Sequence, residues 1–245
     1  MDQRSDQTAR EPVFNLPPVM VASLAVLVAI HAIRVFLLTS DQDAYVIATF
    51  AFIPIRITGL ENLGFAWPGG VAGDVWTFLT YALLHGDWLH LLNNAFWMAA
   101  FGSPLAWRFG AWRFLGLSAV GAIAGAAAHL ALSPYGASPL VGASAAISAQ
   151  MAAVARFAFA PGGRLSGRRI GPAADFAPAL TIGEMLRDRR AMSFLAVWFV
   201  LNLVFGLIFT PPGVQSSQIA WESHIGGFVV GLLFFPIFDP VFRRR

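Results

Sequence analysis

Apolar residues in this chain come in unbroken blocks rather than at a helical or strand period. Six blocks are long enough to span ~30 Å of hydrocarbon at about 1.5 Å per helical residue: about residues 16–38, 87–105, 111–132, 142–159, 191–209 and 219–238. The first is too long for the apolar core of a secretory signal and lacks a small-residue cleavage site after it, so it is expected to remain as a span. Between the first and second blocks, Asp41 to Leu84 is apolar but interrupted by Pro54, Gly59, Gly64 and the turn signal Trp67-Pro68-Gly69-Gly70. That pattern predicts a long, packed interfacial loop, with Phe50, Phe52, Phe65, Trp67, Trp76 and Tyr81 at headgroup level. Residues 160–190 are rich in Gly, Pro and Arg and predict a solvent-exposed connection with a short amphipathic helix around Glu184.

Composition gives the same class. Of 245 residues, 57% are hydrophobic and 12% charged, and mean hydropathy is +0.66. A soluble globule of this size needs more polar surface, so the expected fold is an all-α polytopic membrane protein: a compact six-helix bundle with a long membrane-embedded first loop. The expected organisation is a short tail over residues 1–12, a single membrane domain over 13–240 and a basic tail over 241–245. There is no cysteine, which removes disulfides, thiolate chemistry and cysteine-ligated metal.

Charge sets the topology. All 16 basic residues are arginine, and 14 fall on the side that carries both termini, leaving Arg34 and Arg56 on the other. By the positive-inside rule the termini are cytoplasmic, and Ser144, His90 and His224 approach the outer half of the bilayer. The pI near 10.2 is explained by these scattered arginines and calls for no nucleic-acid partner.

Polar residues inside the spans carry the candidate chemistry. His90 and Asn94 stand four residues apart on one face of the second span and offer an imidazole N–H and an amide N–H to one point. His85 is off that face and is expected to bond to the loop. Ser144 opens the fourth span behind Pro139 and Gly142, where unpaired N–H groups and the positive end of the helix dipole would stabilise an oxyanion. In the sixth span His224 sits above Gly227 and Gly231, a smooth stripe that matches the small face Ser144, Ser148, Ala152 of the fourth. Packing these faces brings a base toward a hydroxyl nucleophile. Glu222 points off the His224 face, so a Ser-His dyad is expected rather than a triad. Gly121 and Gly125 form another small-residue stripe, with no catalytic candidate beside it.

His-x4-His-x3-Asn in the second span, Gly-x-Ser in the fourth and His-x2-Gly-x3-Gly in the sixth resemble the pattern of rhomboid-family intramembrane serine proteases. The resemblance covers nearly the whole chain. It implies Ser144 as nucleophile, His224 as base, and His90, Asn94 and the Ser144 N–H as oxyanion donors, with His85, Gly142, Gly227 and Gly231 in support. It implies no cofactor and no metal. Implied partners are the lipid bilayer and transmembrane protein substrates, cut in or beside their helices. The fifth span and the Pro211–Glu222 link would be a mobile gate and cap. Three positions depart from the family. Ala145 replaces a glycine and is expected to narrow the contact between the fourth and sixth spans. Ser148 replaces an aromatic that packs on the catalytic histidine, and Thr77 replaces the arginine of a Trp-Arg pair.

Rival readings are weaker. An inactive rhomboid-like client binder does not need both dyad residues. A channel or transporter would be expected to show a charged intramembrane pair or an inverted repeat. A zinc hydrolase on His85, His90 and His224 lacks the HExxH spacing. Arginine-only, alanine-rich usage points to a bacterium and so to a cytoplasmic membrane. Oligomeric state is not encoded legibly.

Overall fold

A computed structural model describes residues 16–59, 66–166, 172–204 and 220–241. The amino-terminal tail, most of the Pro211–Glu222 link and the Arg243–Arg245 end therefore lie outside the described residues. Within them the chain is helical, with no strand beyond one isolated backbone bridge between Phe52 and Leu140.

Helix α1 (Pro18–Phe36) begins on a proline whose missing N–H costs nothing in a first turn. The loop after it folds into α2 (Ser40–Phe50), α3 (Pro54–Thr58), α4 (Gly70–Thr80) and a 3₁₀ turn at Tyr81–Leu83. Next come α5 (Trp88–Trp97), a π turn at Met98–Gly102, α6 (Ser103–Phe109) and α7 (Ala111–Leu132). The π turn has a local cause: Pro104 has no N–H to give to the preceding turn, and the ladder is re-spaced around it. The chain continues through α8 (Ser144–Ala158), a 3₁₀ turn at Pro172–Phe176, α9 (Ile182–Arg187), α10 (Arg189–Leu203) and α11 (Trp221–Phe238).

Among the described residues three helices, α1, α7 and α11, are long and apolar enough to cross a membrane by length and composition. The second expected span is the α5–π–α6 run, which starts at its Asp87 cap and continues past Leu105 to Phe109. The fourth corresponds to α8 and the fifth to α10, both 15 residues as described.

Helix α8 is the hub. Every residue from Ala145 to Ala158 is buried, and the alanines among them let neighbouring helices come close. Helices α7 and α11 clasp it. A methyl on Gly227 would run into the Ala145 carbonyl oxygen, and one on Gly231 into that of Ala149. On the α7 side, Gly125 meets the Ala145 methyl and Gly121 the Ala149 methyl. The α7 stripe, expected to lie away from the candidate chemistry, thus packs on the helix that carries Ser144. The expected narrowing by Ala145 does not arise either, because its methyl points to Gly125 and the α8–α11 contact is made by its backbone.

The long loop is a packed body, organised by Arg56. Its guanidinium donates to Asp74 at 2.7 Å and to the carbonyls of Ala48, Pro68 and Gly70, and lies over the Trp67 ring. It fills the centre of the loop in which Thr77 leaves no arginine. Arg34 similarly pairs with Asp43 at 2.7 Å and donates to the His85 carbonyl at 2.8 Å.

At the opposite end, the 160–190 connection is not simply solvent-exposed. Ala174, Asp175 and Met185 are fully buried, and Arg108, itself buried, donates to Asp239 through two 2.8 Å bonds and to the carbonyls of Asp175 and Ala177. Arg156 ties the same layer to the Leu180 and Leu232 carbonyls. The short helix expected around Glu184 is α9, closed by a Thr181–Glu184 capping box.

Candidate functional site

The site is assembled from the amino-terminal ends of α5, α8 and α11. Asp87 caps α5 by accepting from the His90 N–H at 2.7 Å, which fixes where the helix starts and so which way His90 faces. The Gly86 N–H donates to His90 Nδ1 at 3.4 Å. An imidazole that accepts at Nδ1 carries its proton at Nε2 when neutral, so Nε2 is the donor. That nitrogen aims at the loop before α8: a methyl on Gly142 would lie 2.7 Å from His90 Nε2 and 3.8 Å from Asn94 Nδ2. Asn94 is buried, and its amide nitrogen donates to the His90 carbonyl at 2.9 Å, leaving a second N–H. The two donors expected to share a face therefore meet the loop two residues before Ser144.

That loop is held from outside. Gly142 adopts φ +115°, a conformation that L side chains avoid, and its N–H donates to the Tyr81 carbonyl at 3.1 Å. Leu140 and Phe52 exchange backbone bonds of 2.8 and 3.2 Å. Ser144 is the half-buried first residue of α8, where backbone N–H groups have no intrahelical acceptor. Ser148 donates to the Ser144 carbonyl at 2.8 Å, so its own hydroxyl is spent on the helix.

His224 lies one helical turn above Gly227, where α11 crosses the Ala145 backbone, and so stands at the same end of the seam as Ser144. Its Nδ1 lies 2.5 Å from the Asn202 Oδ1 of α10. Asn202 is the residue that reading the sequence missed; its signal was an amide in an otherwise apolar block. Glu222 bonds His129 of α7 at 2.8 Å, away from His224.

His85 is fully buried and packs edge-on against His90, with ring centroids 5.1 Å apart. Neither of its ring nitrogens has a hydrogen-bond partner among the described residues, and its backbone carbonyl accepts from Arg34 of α1 rather than from the loop. Among the described residues no group of three His, Cys, Asp or Glu side chains could hold a metal.

A Rhomboid domain matches residues 72–239, well over half of the chain and the whole of this constellation. The chain belongs to the rhomboid family. It is thus a membrane protein of the family of intramembrane serine proteases that the motifs resemble. The rhomboid protease GlpG of Enterobacter sp. (strain 638) is 32% identical to it over 76 residues, 29% of this chain and 28% of that protein. The chain therefore matches less than a third of that curated relative's length.

Proposed function

We propose that this rhomboid is an active intramembrane serine endopeptidase that cuts client proteins in or beside a transmembrane helix. The observation that carries the reading is the seating of Gly142 against His90 Nε2 and Asn94 Nδ2, two residues before Ser144. Each side chain has a nitrogen donor left over after its structural bond, and an oxyanion needs such donors.

In this reading the Ser144 hydroxyl attacks the scissile carbonyl and His224 takes its proton. The negative charge gathers on the former carbonyl oxygen, which receives N–H bonds from His90, Asn94 and the Ser144 backbone. His224 returns the proton to the leaving amine, and an acyl-enzyme remains on Ser144. Water, deprotonated by His224, releases the second product. No metal or cofactor is needed. The clients are transmembrane proteins, held in a six-span bundle with both termini cytoplasmic and the site open toward the outer face of a bacterial cytoplasmic membrane; the arginine distribution supports that orientation.

The test is cleavage of a panel of reporter transmembrane segments in liposomes, alongside labelling by a fluorophosphonate. Wild type should cut at least one reporter and take the label, and Ser144→Ala should do neither. Equal labelling of the two proteins would end the protease reading.

A further inference from the structure

Resting on that reading, we propose that Asn202 is a positioning residue for His224, contributed by α10, which fixes the tautomer of the imidazole. The Asn202 amide is oriented by its own helix, since Nδ2 donates to the Trp198 carbonyl at 2.9 Å. The flipped amide would set two acceptor oxygens against each other, so Oδ1 must face His224. The 2.5 Å contact between that oxygen and His224 Nδ1 then requires the imidazole to be the donor. A proton held at Nδ1 leaves Nε2 bare, the state a base needs to accept from a serine hydroxyl.

The pairing supplies what a carboxylate supplies in a soluble triad, without a buried charge. An ionised partner in this apolar setting would need further donors to offset its desolvation, whereas a neutral amide brings no charge to desolvate and has its oxygen and one N–H engaged. Placement gives the device a second property. Asn202 and His224 are on different helices, and the Trp198 and Phe228 rings stack 4.9 Å apart between them. The base is aligned only while α10 is packed on α11.

The experiment compares the full chain with Asn202→Leu, which removes the acceptor at similar volume, and Asn202→Asp, which keeps an oxygen there. Turnover of a reporter segment should fall at least about tenfold in kcat for Asn202→Leu with KM unchanged, and fluorophosphonate labelling of Ser144 should slow in parallel. Asn202→Asp should recover most of both rates. Independently of turnover, ¹⁵N spectra of histidine-labelled protein in micelles should show His224, identified by the signal lost in His224→Gln, protonated at Nδ1. In Asn202→Leu that proton should redistribute to Nε2. Unchanged kcat in Asn202→Leu, equal losses in both variants, or a bare Nδ1 in wild type would overturn the proposal. An inert wild type whose His224 still shows the Asn202-dependent Nδ1 proton would instead overturn the protease reading and uphold the pairing.

Discussion

At Gly142 two requirements coincide. The backbone sits at φ +115°, and the space a side chain would occupy is taken by His90 Nε2 at 2.7 Å. Either alone would favour glycine; together they make the position intolerant of even a methyl. Gly142→Ala should displace the His90 donor and lower kcat about 10²-fold, the usual cost of one oxyanion donor. Steady-state kinetics on a reporter segment checks this, and a variant with normal kcat would remove His90 from the oxyanion role. The neighbouring Gly86–His90 contact shows how such a donor is prepared: a backbone N–H given to Nδ1 sets the proton on the far nitrogen. His85 has no comparable bond and contributes bulk and a ring edge, while its carbonyl fixes Arg34.

The α8–α11 contact is made by backbone against backbone. Gly227 and Gly231 lie on the carbonyls of Ala145 and Ala149, so the α8–α11 distance is set by main-chain atoms that have no rotamer to yield. Gly227→Ala should cost about 1–3 kcal/mol of stability as overpacking, and should depress turnover because the shift occurs beside Ser144. A thermal melt in detergent read by intrinsic tryptophan fluorescence measures the first, and an unshifted midpoint would refute the contact. These small-residue stripes were legible in the sequence because their period of four falls within one helix, as were the His90–Asn94 face and the start of α8. What could not be read was partnership across helices. Gly125 against Ala145, Asn202 against His224 and Glu222 against His129 join residues whose separation in sequence carries no signal of their meeting. The direction of the Ala145 methyl was misjudged for the same reason: a one-dimensional pattern does not say which of two neighbours a side chain faces.

Across the whole molecule, two arginine-centred layers hold the bundle at its ends. Arg56 and Arg34 knit the loop and the start of the site, while Arg108, Arg156 and Asp239 bind the 160–190 connection to the bases of α6, α8 and α11. Arg108 and Asp239 are completely buried at the side chain, so removing one partner leaves a charge with nowhere to go. Asp239→Asn should destabilise the bundle by about 3 kcal/mol, measured as the midpoint of unfolding in mixed micelles, even though the position is remote from Ser144. A midpoint equal to wild type would mean that the carbonyls of Asp175 and Ala177 alone satisfy the guanidinium. These layers were invisible beforehand because arginines in connections read as topological signals, and burial belongs to the assembled fold. One consequence follows from the enclosure of α8 by its neighbours. Its amide hydrogens are screened from water along almost the whole helix, so their exchange with solvent requires the bundle itself to open, not a local fraying. Ser144 is the half-buried first residue of this enclosed rod, so slow amide exchange is expected to begin immediately behind it.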